Sequence, residues 1–388
     1  MSRWISLAVS LVVGVGLIAG GHYYLWARLI RDVGFSLSTE RALTWTLCAL
    51  AANIPLAVAT SRVVPPERSG WWVKPVYFWI GLSFLLLLSL AALDVLRIGY
   101  SLATFGFAGP DADRRQTWAR LGAFVAVAIG LGATVWAARE ARKLRVTRVE
   151  VPLKKLPREL DGLSIVQLSD VHVGPTIGRD FIERVVATVN ALSPDIVAIT
   201  GDLVDGSVKD LKHHVAPLAD LTSKHGTYFV TGNHEYHSGA PEWCEHLGSL
   251  GVRVLRNEYV ELGRDGHALH LAGIDDYESA HFGEGHRADL PKAVAGRDPS
   301  RALILLAHQP KAVHEAVRHG VDLQLSGHTH GGQMWPFGWL LRLQQPVVAG
   351  LAKFGETFVY VSCGTGYSGP PMRLHAPAEI TRIILRSA

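Results

Sequence analysis

Cysteine is scarce in this 388-residue chain, and Cys48, Cys244 and Cys363 are too few to build a disulfide scaffold. Acidic residues are scarce at the start: residues 1–148 hold 7 Asp and Glu against 16 Lys and Arg, with a single histidine, His22. Past residue 148 the sign reverses, with 27 acidic against 22 basic residues, and the other 17 histidines all lie there. The net charge of +4 is therefore an average over two unlike halves, and an ordinary single soluble domain is ruled out. The later part lacks the basic excess that nucleic-acid binding requires, so no nucleic-acid partner is expected. A hydrophobic content of 48% excludes a disordered chain.

Four long apolar stretches occupy the first part, at residues 5–25, 42–60, 76–96 and 121–138. Each approaches the ~20 helical residues needed to cross a ~30 Å hydrocarbon core. They predict an N-terminal four-helix transmembrane bundle over residues 1–138. The third, with Phe84 followed by four leucines, is the plainest. The second contains Asn53 and Pro55, which predict a kink or a polar contact with a neighbour. The fourth is rich in Ala and Gly, which suits close helix packing. The first reads as a retained span rather than a cleaved leader, because Tyr23, Tyr24, Leu25 and Trp26 extend it into an aromatic interface belt. No span contains a convincing buried ion pair, and Asp94, near a span end, is the sole acidic residue well inside one. A membrane anchor is expected, and a transport pathway is not indicated.

Four spans place both ends of the bundle on one side. That side holds nine Lys and Arg, including Arg139, Arg142, Lys143, Arg145 and Arg148, against seven on the other. The positive side is expected to be cytoplasmic, in a bacterial-type inner or plasma membrane, with the bilayer itself as a partner. The basic run at 139–160, which includes Pro152 and Pro157, reads as a linker that can rest on anionic head groups.

From residue 161 to 388 the pattern becomes that of one α/β domain. Strands are expected at 164–168, 196–200, 228–230, 269–272, 303–307, 323–325, 358–361 and 380–385, and helices at 179–191, 209–222, 241–250 and 311–319. Five polar clusters follow these strands: Asp170-Val171-His172, Gly201-Asp202-Leu203-Val204-Asp205, Gly232-Asn233-His234-Glu235, His308, and Gly327-His328-Thr329-His330. Ligands of α/β proteins bind beyond the carboxyl ends of strands. Any one cluster also reads as an ordinary polar turn, but five in succession, each after a strand, do not. They supply carboxylates, imidazoles and one amide without a thiolate, a set suited to Mn²⁺, Fe or Zn²⁺. Seven ligands are too many for one tetrahedral ion and about right for two ions sharing a carboxylate.

The same motifs, in this order, resemble the signature of the calcineurin-like metallophosphoesterase superfamily, D-x-H, G-D-x-x-D/N, G-N-H-D/E, H and G-H-x-H. The extended forms Ser169–Gly174 and Gly327–Gln333 look like the branch that includes bacterial phosphodiesterases related to UDP-2,3-diacylglucosamine pyrophosphohydrolase. The layout is similar to that of transmembrane members carrying a metallophosphoesterase domain. The resemblance implies a two-sheet β-sandwich flanked by helices, which the α/β alternation alone does not establish. It implies that Asp170, His172 and His330 bind one metal, that Asn233, His308 and His328 bind the other, and that Asp202 bridges them. His234 would be the catalytic general acid over the leaving group. Asp205 would orient either a ligand or His234.

The chemistry implied is hydrolysis of a phosphoester or pyrophosphate by a metal-activated water. His237, Asp276 and Trp335 are candidate substrate contacts. Trp335 opens the apolar segment Trp335-Pro336-Phe337-Gly338-Trp339-Leu340-Leu341, expected either to pack over the core or to meet lipid tails. With the spans, the second option suggests a lipid-linked substrate resembling UDP-2,3-diacylglucosamine. A phosphodiesterase acting on soluble substrates, a catalytically silent membrane-anchored binding or signalling protein, and a transporter with a regulatory domain are the alternatives. Cys363 reads as a core thiol.

Overall fold

A computed structural model describes residues 3–105, 111–264, 266–283 and 286–388, with the side chains of residues 3–11, 62, 63 and 264 outside the description. Two compact units divide the chain, Met1–Ala138 and Arg139–Ala388.

The first unit is helical: α1 (Arg3–Trp26), α2 (Leu37–Val63), α3 (Pro66–Phe105) and α4 (Ala112–Glu140). Ser36 starts α2 by accepting the Thr39 N–H on its hydroxyl. Among the described residues, three helices are long and apolar enough to cross a membrane, α2 over Leu37–Ser61, α3 and α4. The expected count was four; the stretch 5–25 forms α1, but its first side chains lie outside the description. The Gly content of α4 has a concrete use at Gly130, where a Cβ would stand 2.7 Å from Leu86 of α3. Asn53 satisfies itself within α2, donating to the Ala49 carbonyl at 2.8 Å.

Charges do pair at the ends of the expected spans. Asp94 of α3 lies 2.8 Å from Arg28 and 3.2 Å from Arg97, and accepts a hydrogen bond from the Tyr24 hydroxyl at 2.6 Å. Arg28 stands just past α1, so scanning single helices does not reveal the pair.

The second unit contains two six-stranded mixed sheets. Its strands are β1 (Arg145–Leu153), β2 (Ser164–Leu168), β3 (Ile196–Ile199), β4 (Thr227–Phe229), β5 (Val252–Val254), β6 (Glu258–Arg264), β7 (His267–Gly273), β8 (Leu303–Leu306), β9 (Leu323–Ser326), β10 (Gly350–Phe354), β11 (Thr357–Val361) and β12 (Glu379–Ser387). One sheet runs β1-β12-β2-β3-β4-β5 and the other β10-β11-β9-β8-β7-β6. Between them lies a core drawn from both, including Val151, Ile165, Ile196, Leu269, Ile304, Leu323, Tyr360 and Ile383. Helices α5 (Arg179–Ala191), α6 (Val208–Val215) and α8 (Ala240–Ser249) pack Val185, Leu211 and Trp243 into a second core on the outer face of the first sheet. A third core joins the second sheet to Leu290, Ala312 and Ala316. The arrangement is an α/β sandwich.

All eight expected strands exist, whereas the stretch read as a linker at 139–160 does not stay a linker. Residues 145–153 form β1, parallel to β12 from the Arg145–Glu379 pair to the Leu153–Ser387 pair. Its first residues are largely exposed at the sheet edge and can be basic, while Val151 and Leu153 are buried.

Candidate metal centre

The central strands β2, β3, β4, β8 and β9 are buried hydrophobic ladders, and each stops where a polar cluster begins. Asp170 and His172 follow β2, Asp202 follows β3, His308 follows β8, and His328 and His330 follow β9. Asn233 and His234 open the short helix α7 (Asn233–Ser238) after β4. The turns are tight enough to demand glycine. A Cβ on Gly327 would collide with the Ser169 and Asp170 side chains, and one on Gly232 with Asp202. Asp170, His172, Asp202, His328 and His330 all adopt positive φ, from 51° to 71°. Such backbone costs on the order of 1–3 kcal/mol per residue and persists where surroundings over-determine it.

Here the seven candidate ligands converge. Asp170, His172 and His330 form one group of potential ligand atoms, and Asp202, His308 and His328 another. His172 Nε2 faces His330 Nε2 at 3.0 Å, and His330 Nε2 is 3.4 Å from Asp170 Oδ1. In the other group His308 Nε2 lies 3.1 Å from Asp202 Oδ2 and 3.3 Å from His328 Nδ1, which is 3.1 Å from Asn233 Oδ1. Asp202 Oδ2 stands between the groups, 3.1 Å from His308 Nε2 and 3.9 Å from His172 Nε2. Its other oxygen accepts the His234 backbone N–H at 2.9 Å.

Asp205 resolves into both of its expected contacts at once. Its Oδ1 is 2.9 Å from His172 Nδ1 and 2.6 Å from His234 Nδ1. Burial alone would raise the Asp205 carboxyl, but His172 and His234 hold it well below the usual carboxylate range. Against the lowering effect of burial, Asp205 and Asp202 push the His234 imidazole up to about 9. Burial and the neighbouring His308 push His328 down to about 3, leaving it neutral with a free lone pair. The His234 ring is about one-third exposed, with Nε2 4.0 Å from Asp202 Oδ2.

The three candidate substrate contacts fare differently. His237 is exposed, with its ring edge-on to Phe282 at 5.0 Å and 6.4 Å from the His234 ring. Trp335 stands half-exposed on the surface. Asp276 is buried, accepting the Gln309 amide at 2.9 Å and the Glu278 N–H at 2.8 Å, both on Oδ1. Its bond to Gln309 steadies the turn that carries His308.

Sequence reasoning missed three supports. Glu235 is fully buried and accepts N–H groups from Asp202, Leu203 and Gly232 at 2.9, 2.7 and 2.6 Å, tying two ligand loops together. Burial and Asp202 push its carboxyl up to about 7. Arg373, buried to 1% exposure, donates to the Gly366 and Ala376 carbonyls and lies 3.4 Å from His330 Nδ1. Ser169 donates to Asp170 at 2.5 Å. The glutamate's fixed place three residues after Gly232 was a usable signal; Arg373 had none. The Cys363 thiol, pushed up to about 12 by burial and Glu379, stays out of both ligand groups.

Comparison with known proteins decides the family. Residues 163–332 match the family described as calcineurin-like phosphoesterase. The chain is 38% identical over 387 residues to the bovine (Bos taurus) transmembrane protein with metallophosphoesterase domain, covering 95% of this chain and 87% of that one.

This chain belongs to the calcineurin-like phosphoesterase family.

It is also 35% identical over 265 residues to an uncharacterized metallophosphoesterase of Aquifex aeolicus, covering 68% of this chain and 98% of that one. A Helicobacter pylori uncharacterized metallophosphoesterase is 42% identical over 243 residues, covering 62% of this chain and 64% of that one. The protein is a metal-dependent phosphoesterase, and its apolar helices make it a membrane protein.

Phosphoesterases of this family use a dinuclear divalent metal site. The residues present fit such a pair. Two sets of imidazole nitrogens face each other at 3.0 and 3.3 Å, where lone pairs repel unless a cation or proton lies between them. Asp170 and Asp202 are buried with hydrogen-bond donors and imidazoles beside them, and no Lys or Arg forms an ion pair with either among the described residues. The donor set is nitrogen and oxygen throughout, as Mn²⁺, Fe and Zn²⁺ accept.

Proposed function

We propose that the chain is a membrane-anchored dinuclear phosphohydrolase acting on a lipid-linked phosphoester or pyrophosphate, similar in chemistry to a diacylated nucleotide sugar. Residues 1–138 form the membrane region, with the hydrolase domain on the cytoplasmic side. The observation that carries the reading is the convergence of seven distant polar side chains at the ends of two sheets, with Asp202 Oδ2 between their two groups.

Asp170, His172 and His330 would hold one cation, Asn233, His308 and His328 the other, and Asp202 would contribute to both. When bound, the pair supplies an acidified water and positive charge for the phosphoryl oxygens. The remaining steps belong to protein groups. Asp205 fixes the His172 ring and the His234 ring through the same oxygen, so the ligand and the proton donor are set by one carboxylate. With Nδ1 engaged, His234 presents Nε2 to the open side and gives its proton to the departing oxygen. Glu235 keeps the Asp202 and Asn233 loops in register.

The apolar surface loop favours a lipid-linked substrate. From His330 the chain passes through Gly331–Gln333 into Trp335, Phe337, Trp339, Leu340 and Leu343, all exposed. The short helix Phe337–Leu341 has no buried residue. Trp and Phe exposed together favour the membrane boundary. The test compares turnover of a diacylated nucleotide sugar and its short-chain analogue by the full-length protein in detergent. A strong preference for the acylated form is expected; equal rates would remove the lipid argument while leaving the hydrolase in place.

A further inference from the structure

The helical unit holds a cavity that the hydrolase chemistry leaves unused. It opens between α3 and α4 near the start of α4, with a volume of about 440 Å³. Its wall changes character along the helices. Leu90, Leu93, Leu121 and Val125 line an apolar stretch; Arg97 stands about 10 Å further along, seven residues of α3 past Leu90, with Arg28 on the same Asp94 carboxylate. A neighbouring cavity of about 720 Å³ shares Arg28, Arg97 and Trp118 and adds Arg31 and Arg115. Across the two, four guanidinium groups meet three carboxylates, Asp32, Asp94 and Asp113. Arg120 adds a further positive charge at this end, donating to the Val33 carbonyl.

The level of these arginines is marked by aromatic rings. Tyr100 and Trp118 meet edge-on at 5.5 Å, and both line the cavity. Tyr and Trp concentrate where hydrocarbon meets water, so the guanidinium groups stand at head-group height and the leucines at acyl-chain height. A surplus of arginine is matched by a phosphate, which guanidinium binds with paired charge-assisted hydrogen bonds. A zwitterionic head group brings a cation into the same arginines, and free phosphate has no chain for the groove.

We propose that this cavity binds an anionic phospholipid, with the phosphate at the arginine end, where Arg31 and Arg115 add positive charge beyond the Arg28 and Arg97 groups that share the Asp94 carboxylate, and one acyl chain along the groove between α3 and α4. The cavity lies wholly within the helical unit and shares no residue with the metal centre. Charge complementarity and the lengthwise change from arginine to leucine select this occupant.

Gly122 gives a clean handle. It lines the cavity, and a Cβ there would meet nothing within 4 Å, so a larger side chain enters the groove without displacing packed neighbours. The experiment follows thermal unfolding of delipidated full-length protein in detergent with added phosphatidylglycerol, phosphatidylcholine or inorganic phosphate. Phosphatidylglycerol alone should raise Tm. Gly122→Leu and Arg97→Gln should each abolish that rise while hydrolysis of a soluble diester stays unchanged. Arg97 also pairs with Asp94, so Gly122→Leu decides if Arg97→Gln fails to fold. Equal shifts with both lipids, a full shift from inorganic phosphate, or a shift that survives Gly122→Leu would each overturn the site.

Discussion

The two units treat charge differently. In the helical unit Arg28 and Asp94 pair with side-chain exposures of 27% and 18%, so water or head groups still reach them. In the phosphoesterase unit the Asp170 and Asp202 side chains are exposed by 0% and 3%, and the neighbouring rings are those of histidines. A half-exposed ion pair needs no metal ion to complete it. Fully buried carboxylates facing imidazole lone pairs do, and divalent cations complete them. The same contrast appears in the backbone: Asp170, Asp202 and three of the histidines sit at positive φ, a conformation that loose packing would not hold.

If buried charge in the second unit exists for metal, removing its shared carboxylate should cost most. Asp202→Ala should lose at least one ion and essentially all phosphoesterase activity, read by metal analysis beside a diester assay. Unchanged metal content would break the contrast. His234→Ala should keep both ions and lose ~10²–10⁴-fold in kcat, the usual worth of a general acid. Loss of metal in that variant would move His234 into the ligand set. Asp205→Asn should cost less, about 10–100-fold, as carboxylates behind metal-bound histidines do. Because one oxygen serves both rings, kcat and metal affinity should fall together; a change in only one would separate the two contacts. The smallest effect on catalysis belongs to the other unit. Gly130→Leu would overpack α3 against α4 and destabilise the helices by about 1–3 kcal/mol. Diester hydrolysis should hold within about twofold of the parent, since Gly130 lies outside every contact of the metal centre. A large loss of hydrolysis would mean the units are energetically coupled.

What could be read from sequence follows the same physics. The central strands were legible because burial on both faces makes them unbroken apolar runs, as at Ile196–Ile199 and Leu303–Leu306. The four strands that escaped notice, β1, β5, β6 and β10, are the four sheet edges. β5 is three residues long, β6 carries Glu258, Glu261 and Arg264, and β10 alternates between half-buried and exposed residues. Edges face water and need no apolar signature. At the centre, Asp170, His172, Asp202, Asn233, His308, His328 and His330 were legible because each follows a strand as a short motif. Arg373 was not, since most of its partners are backbone carbonyls, which leave no mark in residue type, and its contact with His330 spans 43 residues. The Asp276 bond to Gln309 was equally illegible, since it joins residues 33 apart in the chain. The pairing of Arg28 with Asp94 joins segments 66 residues apart and had no local pattern.

One measurement bears most directly on the central claim. Full-length protein is stripped with a chelator and titrated with Mn²⁺ while bound metal and diester hydrolysis are followed together. The account predicts no activity in the stripped protein, and activity that returns as two ions per chain are bound. Hydrolysis at full rate without metal, or saturation at a single ion with no further gain, would contradict it.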